Sequence, residues 1–224
     1  MRAPLLTVVA LAVALLAASW FFRLEVADIA TARNVLISTT ACGNASGTSG
    51  TGVVVGDSMI LTAAHIVIAA GSVEVLYNGS TMTAEIVGLD PRTDLALLVV
   101  SGIDATPIAL DRARVDEVVG YIDLAGEFRS AAITRLLEIR IEEERSTVRS
   151  SRFGFEIDRT VELGESGAGV FNENGRLIGI IFGRSTTNED RSFAVRSREI
   201  EEILQTPIGR FACDPLESRV FSAE

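Results

Sequence analysis

From Val35 onward the chain is cut into short, β-branched apolar runs by Gly, Asn, Asp and Ser, and this punctuation limits the fold more than any other feature. Strands are expected near Val35–Thr40, Gly50–Val55, Met59–Thr62, Val73–Tyr77, Thr81–Val87 and Leu95–Val100. Six strands would close one barrel. Asn78-Gly79 falls between two of these runs, where a type I′ turn needs positive φ at both central positions. Ser101–Asp116 carries Pro107 and charges without a period, and suits a connector between two halves. A second set is expected near Glu117–Ile122, Ala131–Glu142, Phe153–Ile157, Gly169–Phe171, Leu177–Phe182 and Ser192–Val195. Within it Leu137, Ile139 and Ile141 alternate with Glu138, Arg140 and Glu142, the period of a half-buried strand. The charged run Glu142–Arg152 reads as a solvated loop. Ser197 can cap a last helix through about Leu204, with Glu199, Glu201 and Glu202 early in it, where the helix dipole favours negative charge.

Composition removes several chemistries. The net charge is −10, and no basic cluster with interleaved aromatics occurs, so nucleic acid is not an expected partner. All 20 basic residues are arginines, which excludes a Ser-Lys dyad, a Schiff-base lysine and a P-loop lysine. One histidine and two cysteines make a poor zinc site, and no metal or cofactor is expected.

Pro4 to Phe22 runs without a charge, and as a helix it would nearly cross a hydrocarbon core of about 30 Å. Trp20, Phe21 and Phe22 followed by Arg23 suit an interface. The expectation is a membrane anchor over residues 1–24. A cleaved signal ending near Ala17-Ala18-Ser19 is the alternative, and a buried core helix a more distant one. Residues 25–33 then read as a linker, and 34–224 as the exported domain, with one barrel over about 34–105 and another over about 115–206. Cys42 and Cys213 are too far apart for a redox Cys-x-x-Cys pair. A disulfide between them would stabilise by about 4 to 5 kcal/mol in the chain-entropy model; two unpaired buried thiols are the other possibility.

Three short motifs carry chemistry. Leu61-Thr62-Ala63-Ala64-His65 sets the single histidine just after an apolar strand among small residues. A nucleophilic hydroxyl needs a base titrating near neutrality, and imidazole is that base. Asp90-Pro91-Arg92-Thr93-Asp94-Leu95 puts an aspartate at the mouth of a strongly apolar strand, where a carboxylate needs a donor. His65 would be that donor for Asp94, although Asp90 could be the functional acid instead. Gly164-Glu165-Ser166-Gly167-Ala168-Gly169 leaves a serine hydroxyl unshielded in a sharp turn just before a strand. The amides of Gly164 and Ser166 could converge there as an oxyanion hole, worth about 3 to 4 kcal/mol in rate.

In the order His, Asp, Ser these motifs resemble the trypsin-like serine protease clan, and especially its bacterial HtrA-like branch; the order separates them from subtilisin-like and α/β-hydrolase triads. The resemblance covers about residues 33–205 and adds Gly50–Val55 and Ser192–Val195 to the matching motifs. It implies an all-β, chymotrypsin-like pair of six-stranded antiparallel barrels with a C-terminal helix, preceded here by one N-terminal hydrophobic helix. It also implies a triad of His65, Asp94 and Ser166 cleaving peptide or protein substrates without a cofactor. By the same resemblance Ser192, Phe193 and Ala194 should pair with substrate and edge the specificity pocket, and Thr160 should line its floor. Glu165 stands where the family usually has aspartate or asparagine, and Ala168-Gly169 replaces glycine-proline. No PDZ domain is expected after the last helix, and an anchored form without one resembles envelope proteases of actinobacteria. Two further readings use the same residues: a catalytically silent peptide-binding module and an esterase with a different pocket.

Overall fold

The computed structural model describes residues 24–42, 46–142 and 149–205. Twelve strands follow the expected order. In the first half these are β1 (Asn34–Ala41), β2 (Ser49–Gly56), β3 (Met59–Ala63), β4 (Ala70–Tyr77), β5 (Ser80–Asp90) and β6 (Leu95–Val99). They close an antiparallel barrel in the order β1-β2-β3-β6-β5-β4. Asn78 and Gly79 turn between β4 and β5 with φ of 48° and 78°, the conformation a type I′ turn demands. β7 (Val118–Ile122), β8 (Phe128–Glu142), β9 (Arg149–Ile157), β10 (Gly169–Asn172), β11 (Leu177–Arg184) and β12 (Ser192–Arg196) close the second barrel as β10-β11-β12-β9-β8-β7.

Several strands are apolar on both faces because each face has its own core. In β2, Val54 points into the first barrel, whereas Val53 and Val55 face the second. In β6, Ala96 and Leu98 fill the barrel, while Leu95 and Leu97 pack between the barrels. Phe171, Leu177, Ile180 and Val195 complete this middle layer from the other side. The second barrel is filled by Tyr121, Ile133, Phe155, Ile157, Val170 and Ile178. The helix over Ser197–Leu204 adds Ile200 and Ile203 to the middle layer. Two barrels fused through a shared apolar seam fix the loops at the seam, and those loops carry all three motifs.

Three local readings change. Residues 24–33 are helical rather than a linker; Val26 and Ala30, one turn apart, are 5% and 1% exposed and enter the middle layer. With this helix as α1, the one-turn helix Ala64–Val67 is α2 and Ser197–Leu204 is α3. Ser197 does not cap α3; Arg196 takes the cap position without a side-chain bond, and Ser197 is buried as the first helical residue. The charged run is not wholly a solvated loop, because β9 begins at Arg149 and Arg152 is 7% exposed. The long β8–β9 hairpin buries it by carrying it back to the seam. The apolar segment 4–22 and Cys213 lie outside the described residues, and among the described residues no helix is long and apolar enough to cross a membrane.

Candidate active site

β3 and β6 pair with Ala63 opposite Leu95, so the end of one strand lies beside the start of the other. α2 starts at that point, and the Ala64 amide donates to the Asp94 carbonyl at 3.0 Å. His65 and Asp94 are then joined twice. The His65 backbone N–H donates to Asp94 Oδ1, and His65 Nδ1 meets Asp94 Oδ2, both at 2.9 Å. An ionised carboxylate only accepts, so Nδ1 carries the proton, and in the neutral ring Nε2 keeps its lone pair. Asp94 sits at φ 61°, a left-handed conformation uncommon outside glycine, which aims its carboxylate back along the chain at His65. The Asp94 side chain is 12% exposed and that of His65 45%. Asp90 is committed elsewhere: its carboxylate accepts from Arg92 N at 3.0 Å and from Thr93 Oγ1 at 2.8 Å, closing the turn that precedes Asp94.

Ser166 is partly exposed on a turn between residues 161 and 168 whose backbone is stitched at both ends. Gly167 N donates to the Ile181 carbonyl at 2.7 Å, and Ile181 N returns to Ala168 at 2.9 Å. The turn also reaches across the seam to β2. Thr51 N donates to the Ser166 carbonyl at 2.8 Å, and Thr51 Oγ1 lies 2.9 Å from that oxygen and 3.1 Å from the Glu165 carbonyl. Thr62 Oγ1 in turn donates to the Thr51 carbonyl at 2.6 Å. Thr62 is three residues before His65, so this relay ties the serine turn on the second barrel to the strand that presents the histidine. Gly167 is required there: its φ is 93°, and a Cβ would run into the Thr51 carbonyl and the Thr62 hydroxyl. The amides of Gly164 and Ser166 have no hydrogen-bond partner among the described residues.

Glu165 folds inward and is 5% exposed. Its Oε2 accepts the Glu162 amide at 3.0 Å, which pins the start of the turn. Burial pushes its carboxyl above the ordinary glutamate range; the Glu162 N–H pulls it back, and the Asp123 charge adds to the rise. Asp123 moves the other way. Burial opposes its ionised form, but the Glu127 amide at 2.9 Å and Arg129 Nε at 2.5 Å outweigh that and hold it below the usual carboxylate range. Beneath them Tyr121 is pushed up to about 12, chiefly by burial and then by the Glu165 charge.

The remaining expected residues divide. Thr160 Oγ1 bonds the Glu189 carbonyl, and Ser192 Oγ accepts the Val161 amide at 2.9 Å, so both brace the segment leading to Ser166. Ser192–Ala194 cannot offer a free strand edge. β12 is paired with β11 on one side and with β9 on the other, and Ala194 is buried inside the second barrel. Among the described residues the open edge belongs to β11, which is bonded on the side away from β12 only as far as Ile181. Past that point Phe182 stacks on Phe193, ring centroids 6.2 Å apart. Thr51, Thr62 and Arg152 were not singled out from the sequence. The two threonines left one signal, polar residues inside otherwise apolar runs; Arg152 left none. Among the described residues no group of His, Cys, Asp or Glu could hold a metal ion.

A trypsin-like peptidase domain model matches residues 50–180, which takes in all three motifs. The chain belongs to the trypsin-like peptidase family. It is similar to the Do-like serine protease HtrA of Bacillus subtilis, 29% identical over 70% of this chain and 38% of that protein. It is also similar to the serine protease Rv3671c of Mycobacterium tuberculosis, 28% identical over 73% of this chain and 44% of the relative. The chain thus spans less than half the length of these curated relatives. The crystal structure of the Rv3671c protease in its active form superposes with a TM-score of 0.73 at 24% identity, covering 84% of this chain and 88% of that one. At that identity the likeness carries the two-barrel fold, and the HtrA-type protease AlgW with a bound tripeptide, at a TM-score of 0.64, agrees with it.

Proposed function

We propose that this chain is an extracytoplasmic serine endopeptidase in which Ser166 is the nucleophile, His65 the general base and acid, and Asp94 the group that orients the imidazole. The observation that carries the reading is the pair of hydrogen bonds that joins His65 to Asp94 through its amide and Nδ1, leaving Nε2 free to act, together with the Thr62–Thr51 relay that ties the Ser166 turn to the strand leading into His65. Ser166 Oγ attacks the scissile carbonyl while Nε2 takes its proton, and the carbonyl π pair moves onto oxygen. The unengaged amides of Gly164 and Ser166 receive that oxyanion. The tetrahedral intermediate collapses as Nε2–H protonates the leaving amine, and water repeats the sequence on the acyl-enzyme. Asp94 stays ionised throughout and stabilises the imidazolium.

Substrate backbone would add to the free edge of β11 past Ile181, with Thr160 and Ser192 bracing the pocket wall. Residues 4–22 would anchor the chain or direct its export. The buried Cys42 would pair with Cys213; no free cysteine occurs among the described residues.

The test is labelling of the full chain with a fluorophosphonate probe, comparing wild type with Ser166→Ala and His65→Ala. Labelling of the wild type alone is expected. Equal labelling of Ser166→Ala would refute the assignment, and no labelling of folded wild type would favour a silent peptide-binding module.

A further inference from the structure

β9 delivers to the site a group that the acyl-transfer chemistry does not call for. Arg152, opposite Ile139 of β8, reaches from the second barrel to the acid on the first. Its Nη1 lies 3.2 Å from Asp94 Oδ2, the oxygen that also takes His65 Nδ1 at 2.9 Å. The side chain is 9% exposed, and its guanidinium lies 5.0 Å above the Phe182 ring. Its buried Nε finds no acceptor among the described residues. A guanidinium in so dry a place is costly unless an anion and a ring face hold it, and Asp94 and Phe182 are what hold it.

We infer that Arg152 is a positioning residue of the proposed triad: it fixes the Asp94 carboxylate from the far side of the seam and, by offsetting its charge, restrains the proton affinity of His65. The inference rests on the triad reading. Because one oxygen serves both cations, charge that Asp94 lends to Arg152 is not fully available to an imidazolium. A base restrained in this way stays neutral, and competent, further into the acid range. Among the described residues, the other charged groups on the surrounding elements make their contacts elsewhere. Asp90 of β5 binds its own turn, and Arg92 pairs with Asp90 at 3.3 Å and Glu202 of α3 at 3.6 Å. Glu199 of α3 accepts the Phe153 amide at 3.2 Å, and Arg196 of β12 lies over the Phe153 ring. Among the described residues, only Arg152 and His65 form ion pairs with Asp94.

His65 is the single histidine, so one imidazole signal in the NMR spectrum of the labelled full chain reports its titration directly. The titration is compared between Ser166→Ala and the same chain carrying Arg152→Met, in a background that needs no turnover. Loss of Arg152 is expected to raise the proton affinity of His65 roughly tenfold, moving the midpoint to higher pH by about one unit. Arg152→Lys, which keeps the charge, should recover at least half of that shift. In the Ser166 enzyme the acid limb of kcat/KM should move the same way with Arg152→Met. Superimposable titrations in folded protein, or a lysine variant that behaves like methionine, would overturn the inference. Should Arg152→Met not fold, Arg152→Gln gives the same comparison; collapse of both would assign Arg152 a purely structural role and overturn it as well. A chain that resists the fluorophosphonate probe but whose His65 titration still responds to Arg152 would instead count against the triad reading alone.

Discussion

The hydroxyl of Thr51 is a small group with a large expected effect, because it fastens Ser166 across the seam between the barrels. In Thr51→Val the volume is kept and the hydroxyl is lost, and neither carbonyl it served is orphaned. The Ser166 carbonyl keeps the Thr51 amide at 2.8 Å, and the Glu165 carbonyl keeps the Ala168 amide at 3.1 Å. The stability cost is therefore that of one net hydrogen bond, about 1 kcal/mol, and not the larger penalty of an unsatisfied buried group. Thr51→Ser makes the opposite change: the bond stays and a buried methyl goes, at about 0.8 kcal/mol. The two variants should be nearly matched in urea denaturation and differ in turnover. With its side-chain tether gone, the Ser166 turn can drift, and a displacement approaching 1 Å costs up to about 100-fold in rate, so Thr51→Val should lose about tenfold or more in kcat/KM. Thr51→Ser should stay within about twofold of wild type, as its tether is intact. A peptide hydrolysis assay beside urea titration checks both. Should Thr51→Ser lose as much activity as Thr51→Val, packing rather than the hydroxyl positions the serine, and the relay through Thr51 and Thr62 is refuted.

Two other residues of the turn give separate expectations. Glu165, raised above its ordinary value of 4.5 by burial, binds more proton folded than unfolded between that value and its folded one, so stability falls as pH rises through this window. Glu165→Gln keeps an oxygen for the Glu162 amide and removes the buried charge; urea denaturation across the window should show a flatter pH dependence and a more stable variant at neutral pH, and an unchanged slope would refute the assignment. Gly167→Ala meets both a φ of 93° and a collision with Thr51 and Thr62, so more than about 2 kcal/mol should be lost, together with fluorophosphonate labelling. A labelled, stable Gly167→Ala protein would show that the turn has more freedom than its contacts indicate.

How much the sequence made legible differs from residue to residue. Asn78-Gly79 announced its turn because positive φ at two consecutive positions is a demand that few residue pairs meet, and the structure uses both. The segment 25–33 reads as a linker in the sequence because its apolar face is only Val26, Ala30 and the half-buried Ile29, too narrow a stripe to register until a fused-barrel surface is there to cover it. The resemblance puts Ser192–Ala194 at the substrate edge because the motif fixes a strand but not its neighbours; pairing on both sides is a property of the closed sheet.

Strand succession, turn positions and the three chemical motifs were determined by the sequence alone, since β-alternation, turn chemistry and the need of an isolated histidine or aspartate for a partner act over a few residues. Only the tertiary structure decided that Asp94 rather than Asp90 meets His65, that Thr51 ties down Ser166, and that Arg152 lies buried instead of solvated. Each of these depends on which distant backbone closes the barrel beside it, and a charged side chain such as Arg152 can leave water only where the fold has already placed an anion and a ring face to receive it.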